Sequence, residues 1–275
     1  MIHIVADSSC DLPQDIIKKY DIKIVPLVVN IDGELYRERV DITPKEFYHK
    51  MAGSKALPKT SQPSPAIFME VFNQLSKTGQ VLCLTISSGL SGTYQSAGLG
   101  KDLSDGDIVV FDSLAGSLGH GLQIIRAAEM VEAGSSMEEI ITELSEYRSR
   151  MSTLVLLHTL DNIVKGGRLS KFEGSLGKLL DFRILLHNDE KGNVVLQQKV
   201  RGKKTFMKKV VGEIIERAPD LSDTPVGITH FNNPEDTEYI INQLKEKCQA
   251  QHFIVNDMGS TMATYAGEGG MIIAF

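Results

Sequence analysis

The chain has 275 residues, of which 42% are hydrophobic and 23% charged, and its formal net charge is −6. That balance fits a globular protein with a sizeable core, and the length favours two lobes over one compact unit. The acidic charge excludes nucleic acid as the main partner, because phosphate binding needs a basic face.

Ile2–Ala6 is predicted to be a strand. It meets a polar turn without the basic and apolar regions of a signal peptide. Pro13–Tyr20 is predicted helical, with Pro13 in the first turn and Asp11 as a cap. Ile22–Ile31 is strand-like, and Asp32-Gly33 turns it back through Leu35-Tyr36 as a hairpin. Thr43–Met51 opens with a cap at Thr43, Pro44 next and Glu46 three residues on. Gly53–Pro63 is expected to be loop. Pro65–Lys77 is a helix, Val81–Ser87 and Ile108–Asp112 are strands, and Leu118–Ala133 and Met137–Arg150 are helices. Near Ser152 the texture changes. Thr153–His158 reads as a strand and Leu160–Val164 as a short turn or helix. Arg183–His187 and Val194–Val200 form a hairpin pair. Lys203–Arg217 and Pro234–Gln249 are helices, and Val226–His230, Phe253–Asn256 and Met271–Phe275 are strands. The pattern predicts an α/β protein of two lobes: an N-terminal parallel sheet flanked by helices, and a C-terminal α+β domain with a mixed sheet. The expected domains are 1–155, with a small β insertion near 30–40, and 156–275. No run approaches the ~20 apolar residues of a membrane span. Cys10, Cys83 and Cys248 are odd in number and lack CxxC spacing. They argue for a reducing, cytoplasmic compartment and against structural zinc or a disulfide framework.

Four stretches carry candidate chemistry. Asp7-Ser8-Ser9-Cys10-Asp11 ends the first strand, the edge where open α/β sheets bind ligands. Cap formation is the alternative reading, and Cys10 is a candidate thiol. Lys59–Pro65 offers the hydroxyls of Thr60 and Ser61, with Ser64 as a cap for the next helix. Ile86–Ala97 sets Ser91 between Gly89 and Gly92, just before a helix whose N–H groups favour an anion. Neither GxSxG nor a Walker loop is present, so no nucleotide or other cofactor is expected. Gly166-Gly167-Arg168 presents a planar donor fork suited to a carboxylate or phosphate. Its alternative is a helix C-cap with a surface arginine. His158 and His230 read as core histidines, His120 as a candidate site residue, and no metal spacing occurs.

Taken together, DSSCDLP at 7–13, TSQPSP at 60–65, SSGLSGTYQSA at 87–97, LDNIVKGGR at 160–168, LGKLL at 176–180 and KVRGKK at 199–204 resemble the DegV family along essentially the whole chain. The resemblance implies a non-enzymatic fatty-acid-binding protein. A long-chain fatty acid would place its carboxylate at the lobe junction and its acyl chain in the C-terminal lobe. It implies a separate fatty acid kinase catalytic subunit as partner, which phosphorylates the presented carboxyl group for phospholipid synthesis. It also leaves room for transient membrane contact. Carried over to this sequence, the ligand-binding set is Thr60, Ser61, Ser91, Gly92, Arg168 and Tyr265, with no catalytic residue.

Three positions depart from the family pattern. Tyr265 occupies the position where the family pattern has histidine, and Glu268 the position of a proline. Arg183 also replaces a common proline and reads as a surface residue. Two other readings stay open: an acyl-group enzyme with Ser91 as nucleophile and His120 as its base, and a carrier of a different small carboxylic or phosphorylated ligand.

Overall fold

The computed structural model describes residues 1–169 and 181–275. In chain order the first part runs β1 (Ile2–Asp7), a single 3-10 turn (Ser8–Cys10), α1 (Gln14–Lys19), β2 (Lys23–Val25), β3 (Val28–Ile31), β4 (Glu34–Arg37), α2 (Pro44–Gly53) and β5 (Lys59–Ser61). It continues with α3 (Pro65–Leu75), β6 (Gln80–Thr85), α4 (Thr93–Asp102), β7 (Ile108–Asp112), α5 (Leu118–Glu132) and α6 (Met137–Arg150). The second part runs β8 (Thr153–Leu157), α7 (Asp161–Lys165), β9 (Phe182–Asn188), β10 (Val194–Arg201), α8 (Lys203–Arg217) and β11 (Val226–His230). It closes with α9 (Pro234–Cys248), β12 (Phe253–Asp257), α10 (Ser260–Ala266) and β13 (Met271–Ala274).

Among the described residues three sheets form. The first has strand order β2-β1-β6-β7 and is all parallel. Its residues alternate between two cores, as a covered parallel sheet requires. Ile4, Ala6, Leu82 and Leu84 face α5 and α6, whereas Val5, Val81 and Cys83 face α3 and α4. The second sheet has order β10-β9-β8-β13-β11-β12 and mixes parallel with antiparallel pairs. Leu154, Leu156, Leu185 and Ile273 pack under α8 and α9. Val155, Leu157, Ile184, Leu186 and Ile272 pack on the opposite face. The third, β4-β3-β5, covers that opposite face together with α2, α7 and α10.

Local chemistry explains most boundaries. The Thr43–Glu46 capping box and Pro44 start α2 as the sequence predicts. The single strand expected over 22–31 instead breaks at Pro26-Leu27 into β2 and β3, which join different sheets. Proline has no N–H to continue a ladder. The expected loop 53–63 contains β5, paired with β3 through Val29↔Thr60. Asp11 does not cap α1; it takes φ 53 behind the 3-10 turn, and Pro13 precedes the helix. Ser64 holds the N-cap position of α3 without a side-chain capping bond. His158 lies just beyond β8 and is exposed, rather than a core histidine. The LGKLL run lies outside the described residues.

Asp7, Asp11 and Glu38 are buried where the elements meet. Asp7 accepts from Ser9 N at 3.1 Å and Ser9 Oγ at 2.5 Å, and through its other oxygen from Ile86 N at 2.7 Å, so it ties β1 to the end of β6. Asp11 accepts from Ser117 Oγ at 2.6 Å and Gly259 N at 2.9 Å, with Arg39 Nη2 at 3.6 Å. Glu38 accepts from Ser8 Oγ at 2.6 Å, Ser260 Oγ at 2.9 Å, and Thr261 N and Oγ1 at 2.7 and 2.9 Å. Much of the DSSCD motif is therefore framework. Cys10 is buried and its thiol is pushed up to about 12 by that burial, which removes it as a reactive thiol.

Two expectations follow from these environments. Burial outweighs the lowering effect of Arg39 and raises Asp11 to about 7, against ~3.9 in the unfolded chain. The folded state then holds that proton more tightly, so the stability it contributes is full at acid pH and is lost as pH rises through about 7. Asp11→Asn, which mimics the protonated acid, should gain in Tm on the wild type between pH 5 and pH 8 in parallel melts; a constant difference refutes the shift. All three cysteines are buried, so DTNB should label none in the folded protein and all after urea. Rapid labelling of folded Cys10 would restore the reactive-thiol reading.

Candidate functional site

In the first sheet, the chain crosses from one side to the other between the neighbouring strands β1 and β6. Such a switch point leaves a crevice beyond the strand ends. The loop 86–92 emerges there. Ser91 is half-buried, with its Oγ 2.9 Å from Thr93 Oγ1 and 3.3 Å from Thr93 N. Gly92 is the N-cap of α4 and supplies no side-chain cap, so the helix start keeps N–H groups for an anion. A Cβ at Gly92 would come within 2.6 Å of the Gln62 amide. This close approach joins the TSQP stretch to the serine loop.

Thr60 sits at the middle of β5, and its Oγ1 lies 2.5 Å from the Tyr265 hydroxyl. Tyr265 comes from α10, so this bond joins the third sheet to a segment near the end of the chain. Ser61 is exposed, opposite Val28 in the same ladder. Arg168 completes the group: its guanidinium carbon stands 5.0 Å from the centre of the Tyr265 ring, a cation–π arrangement. Its Nη1 donates to Gly166 O at 2.5 Å and its Nε to Leu90 O at 3.4 Å, in the serine loop.

The GGR geometry reconciles the two sequence readings. Gly167 N donates to Val164 O and Arg168 N to Ile163 O, each at 3.0 Å, with Gly167 at φ +72. This is a Schellman cap of α7. The cap also aims Arg168 at Tyr265, and Gly166 lies so close to the tyrosine ring that a Cβ there would collide with it.

The structure thus brings Thr60, Tyr265 and Arg168 into one contact group, reached from Arg168 through Leu90 to Ser91. Behind it lies an apolar wall. Leu90, Met262 and Tyr265 pack against the cluster that includes Val29, Phe47, Leu157, Ile163, Ile184 and Ile272. Glu268 is exposed. Arg183 is half-buried on β9 rather than a plain surface residue, beside His158, Lys203 and Asp236. His120 is fully buried, and burial drives its pKa down, so it stays neutral within α5. Among the described residues no hydrogen bond joins His120 to Ser91, so the acyl-enzyme arrangement lacks its base. No group of three or more His, Cys, Asp or Glu among the described residues is arranged to hold a metal.

Sequence reasoning missed Thr93, Gln62 and Glu38. Thr93 and Gln62 lie inside quoted motifs, where their proximity to other site residues was a usable signal. Glu38, in the charged run RERVD, carries no signal of burial.

The model for the uncharacterised DegV family matches residues 1–275. A DegV domain-containing protein of Caldanaerobacter subterraneus is 36% identical over 276 residues, covering 100% of this chain and 98% of its own. A DegV family protein from Thermus thermophilus, described for its fatty acid binding, superposes with a TM-score of 0.93 at 31% identity, covering 100% of this chain and 99% of that one. DegV of Bacillus subtilis, described as a fatty acid binding protein, superposes with a TM-score of 0.90 at 30% identity over 99% and 98% of the two chains. Motif order, fold and whole-length similarity agree, and the chain belongs to the DegV family.

Proposed function

We propose that this chain binds a long-chain fatty acid and presents it to a separate fatty acid kinase subunit, without catalysing the transfer itself. The observation that carries the reading is the Thr60–Tyr265–Arg168 group seated on the apolar wall beside the open start of α4. The fatty acid binding described for its Thermus and Bacillus neighbours supports it. In this reading Thr60, Ser91 and Tyr265 donate to the carboxylate. Arg168 adds positive charge, the backbone at Gly92 closes the polar end, and Ser61 stands at its rim. The acyl chain enters the apolar cluster under β8, β9 and β13, within the proposed domain 156–275. That cluster is shared with strands near residue 30 of the proposed domain 1–155.

The energetics divide the labour. Each buried methylene contributes about 0.8 kcal/mol, so a long tail outweighs a few hydroxyl contacts even after the costs of binding. The tail sets affinity, and the polar end sets where the carboxyl oxygens stand for phosphoryl transfer. Tyr265 offers its phenolic hydroxyl as the donor. Among the described residues no helix is long and apolar enough to cross a membrane, and we place the protein's work in the cytoplasm.

Denaturing purified protein and identifying released lipid by mass spectrometry should yield a stoichiometric long-chain fatty acid, and oleate should raise the Tm of stripped protein. An empty protein that ignores oleate overturns the reading. With the kinase subunit added, Ser91→Ala should slow acyl phosphate formation about tenfold while weakening oleate binding less than about threefold. The reverse ranking contradicts the division of labour.

A further inference from the structure

Glu38 is 1% exposed, yet its carboxylate accepts four hydrogen bonds. One donor, Ser8, sits behind β1; the other three belong to the first two residues of α10. The Thr261 N–H is an amide that an N-cap side chain normally satisfies. Here the N-cap is Gly259, which has no side chain. A Cβ at that position would lie 2.5 Å from Asp11 Oδ1 and 2.7 Å from Glu38 Oε1. The glycine therefore admits two carboxylates at the start of α10. Asp11 takes the Gly259 amide, and Glu38 takes the Thr261 amide with both neighbouring hydroxyls.

The same residue is also connected to the other half of the polar end. Glu38 follows β4, which pairs with β3, which pairs with β5. Glu38 N is itself held by Leu27 O at 2.9 Å, and Leu27 N donates to Ser8 Oγ at 2.9 Å. One path of contacts runs from Glu38 along α10 to Tyr265, and another through the small sheet to Thr60. The two paths meet in the Thr60–Tyr265 hydrogen bond. A buried carboxylate is a poor stabiliser compared with an apolar side chain of similar size, and its best-attested use is to fix one arrangement among several.

We propose that Glu38 is a positioning residue for the ligand end: it fixes the start of α10 against the small sheet and so sets the Tyr265 hydroxyl beside Thr60. This inference rests on fatty acid binding at Thr60 and Tyr265 as proposed above. It concerns geometry, so it has a readout that needs no ligand.

The test uses full-length protein, wild type and Glu38→Gln, Tyr265→Phe and the double variant, each stripped of lipid and titrated with oleate by calorimetry. Glu38→Gln should weaken binding about tenfold, Tyr265→Phe by a similar factor, and the double variant no more than about twofold beyond Tyr265→Phe. Multiplying losses overturn the proposal, because Glu38 would then support the fold without acting through Tyr265. In parallel, ring-labelled tyrosine NMR, with Tyr265 assigned from Tyr265→Phe, should show a displaced Tyr265 resonance in Glu38→Gln without oleate. An unmoved resonance also overturns it. If wild type ignores oleate while the resonance moves, the ligand reading fails and the positioning stands. Should Glu38→Gln not fold, Thr261→Val removes one hydroxyl donor to the same carboxylate and is read in the same cycle and spectrum, with the same two outcomes deciding.

Discussion

A buried carboxylate must be surrounded by donors, and this molecule is arranged around three of them. Asp7, Asp11 and Glu38 are all excluded from solvent. Each draws hydrogen bonds from segments far from it in sequence: Ile86, Ser117, and the stretch Gly259–Thr261. Leaving any of these oxygens unpaired costs more than a typical hydrogen bond contributes. The first turn after β1, the entry to α5 and the entry to α10 are therefore fixed relative to each other, and the rest of the architecture hangs from that joint. Arg39 takes part at a cost to its backbone: it stands at φ 64, uncommon for a residue with a side chain, while Nη1 reaches Leu12 O at 2.6 Å.

The polar end inherits its order from this joint. Its members come from a strand, a loop, a helix cap and a late helix, none adjacent in sequence. They converge because β5 is locked into the small sheet and α10 is locked at its first turn. The Schellman cap of α7 contributes by directing Arg168 onto the Tyr265 ring. Tyrosine, at the position where the family resemblance implies histidine, supplies a hydroxyl beside Thr60 and a ring face for the guanidinium. It gives up the charge that histidine could carry near neutral pH.

Much of this was legible in the sequence, for physical reasons that vary by element. The parallel sheet was readable because Val81–Leu84 and Ile108–Phe111 are continuous apolar runs between helical stretches, and α2 because Thr43, Pro44 and Glu46 form a local code. The motifs that hold the candidate site residues were readable through their order. What escaped depends on distant partners. β5 is three residues long and exists because β3 offers it an edge. α10 follows a glycine and has its first-turn donors satisfied by Glu38, over two hundred residues earlier in the chain. Glu38 itself sits in a run of charges that reads as solvated surface. The DSSCD motif was visible, but whether it binds or braces depends on Ile86, Ser117 and Gly259, which no local pattern names.

The six-stranded sheet carries two separate apolar layers, one under α8 and α9 and one under the small sheet, α7 and α10. Alternate residues of β8, β9 and β13 supply them independently. The proposed guest touches only the second layer. Any repacking around that guest would fall on the face away from α8 and α9. The proposed cargo hold and the helical keel of α8 and α9 thus stand on opposite sides of one wall.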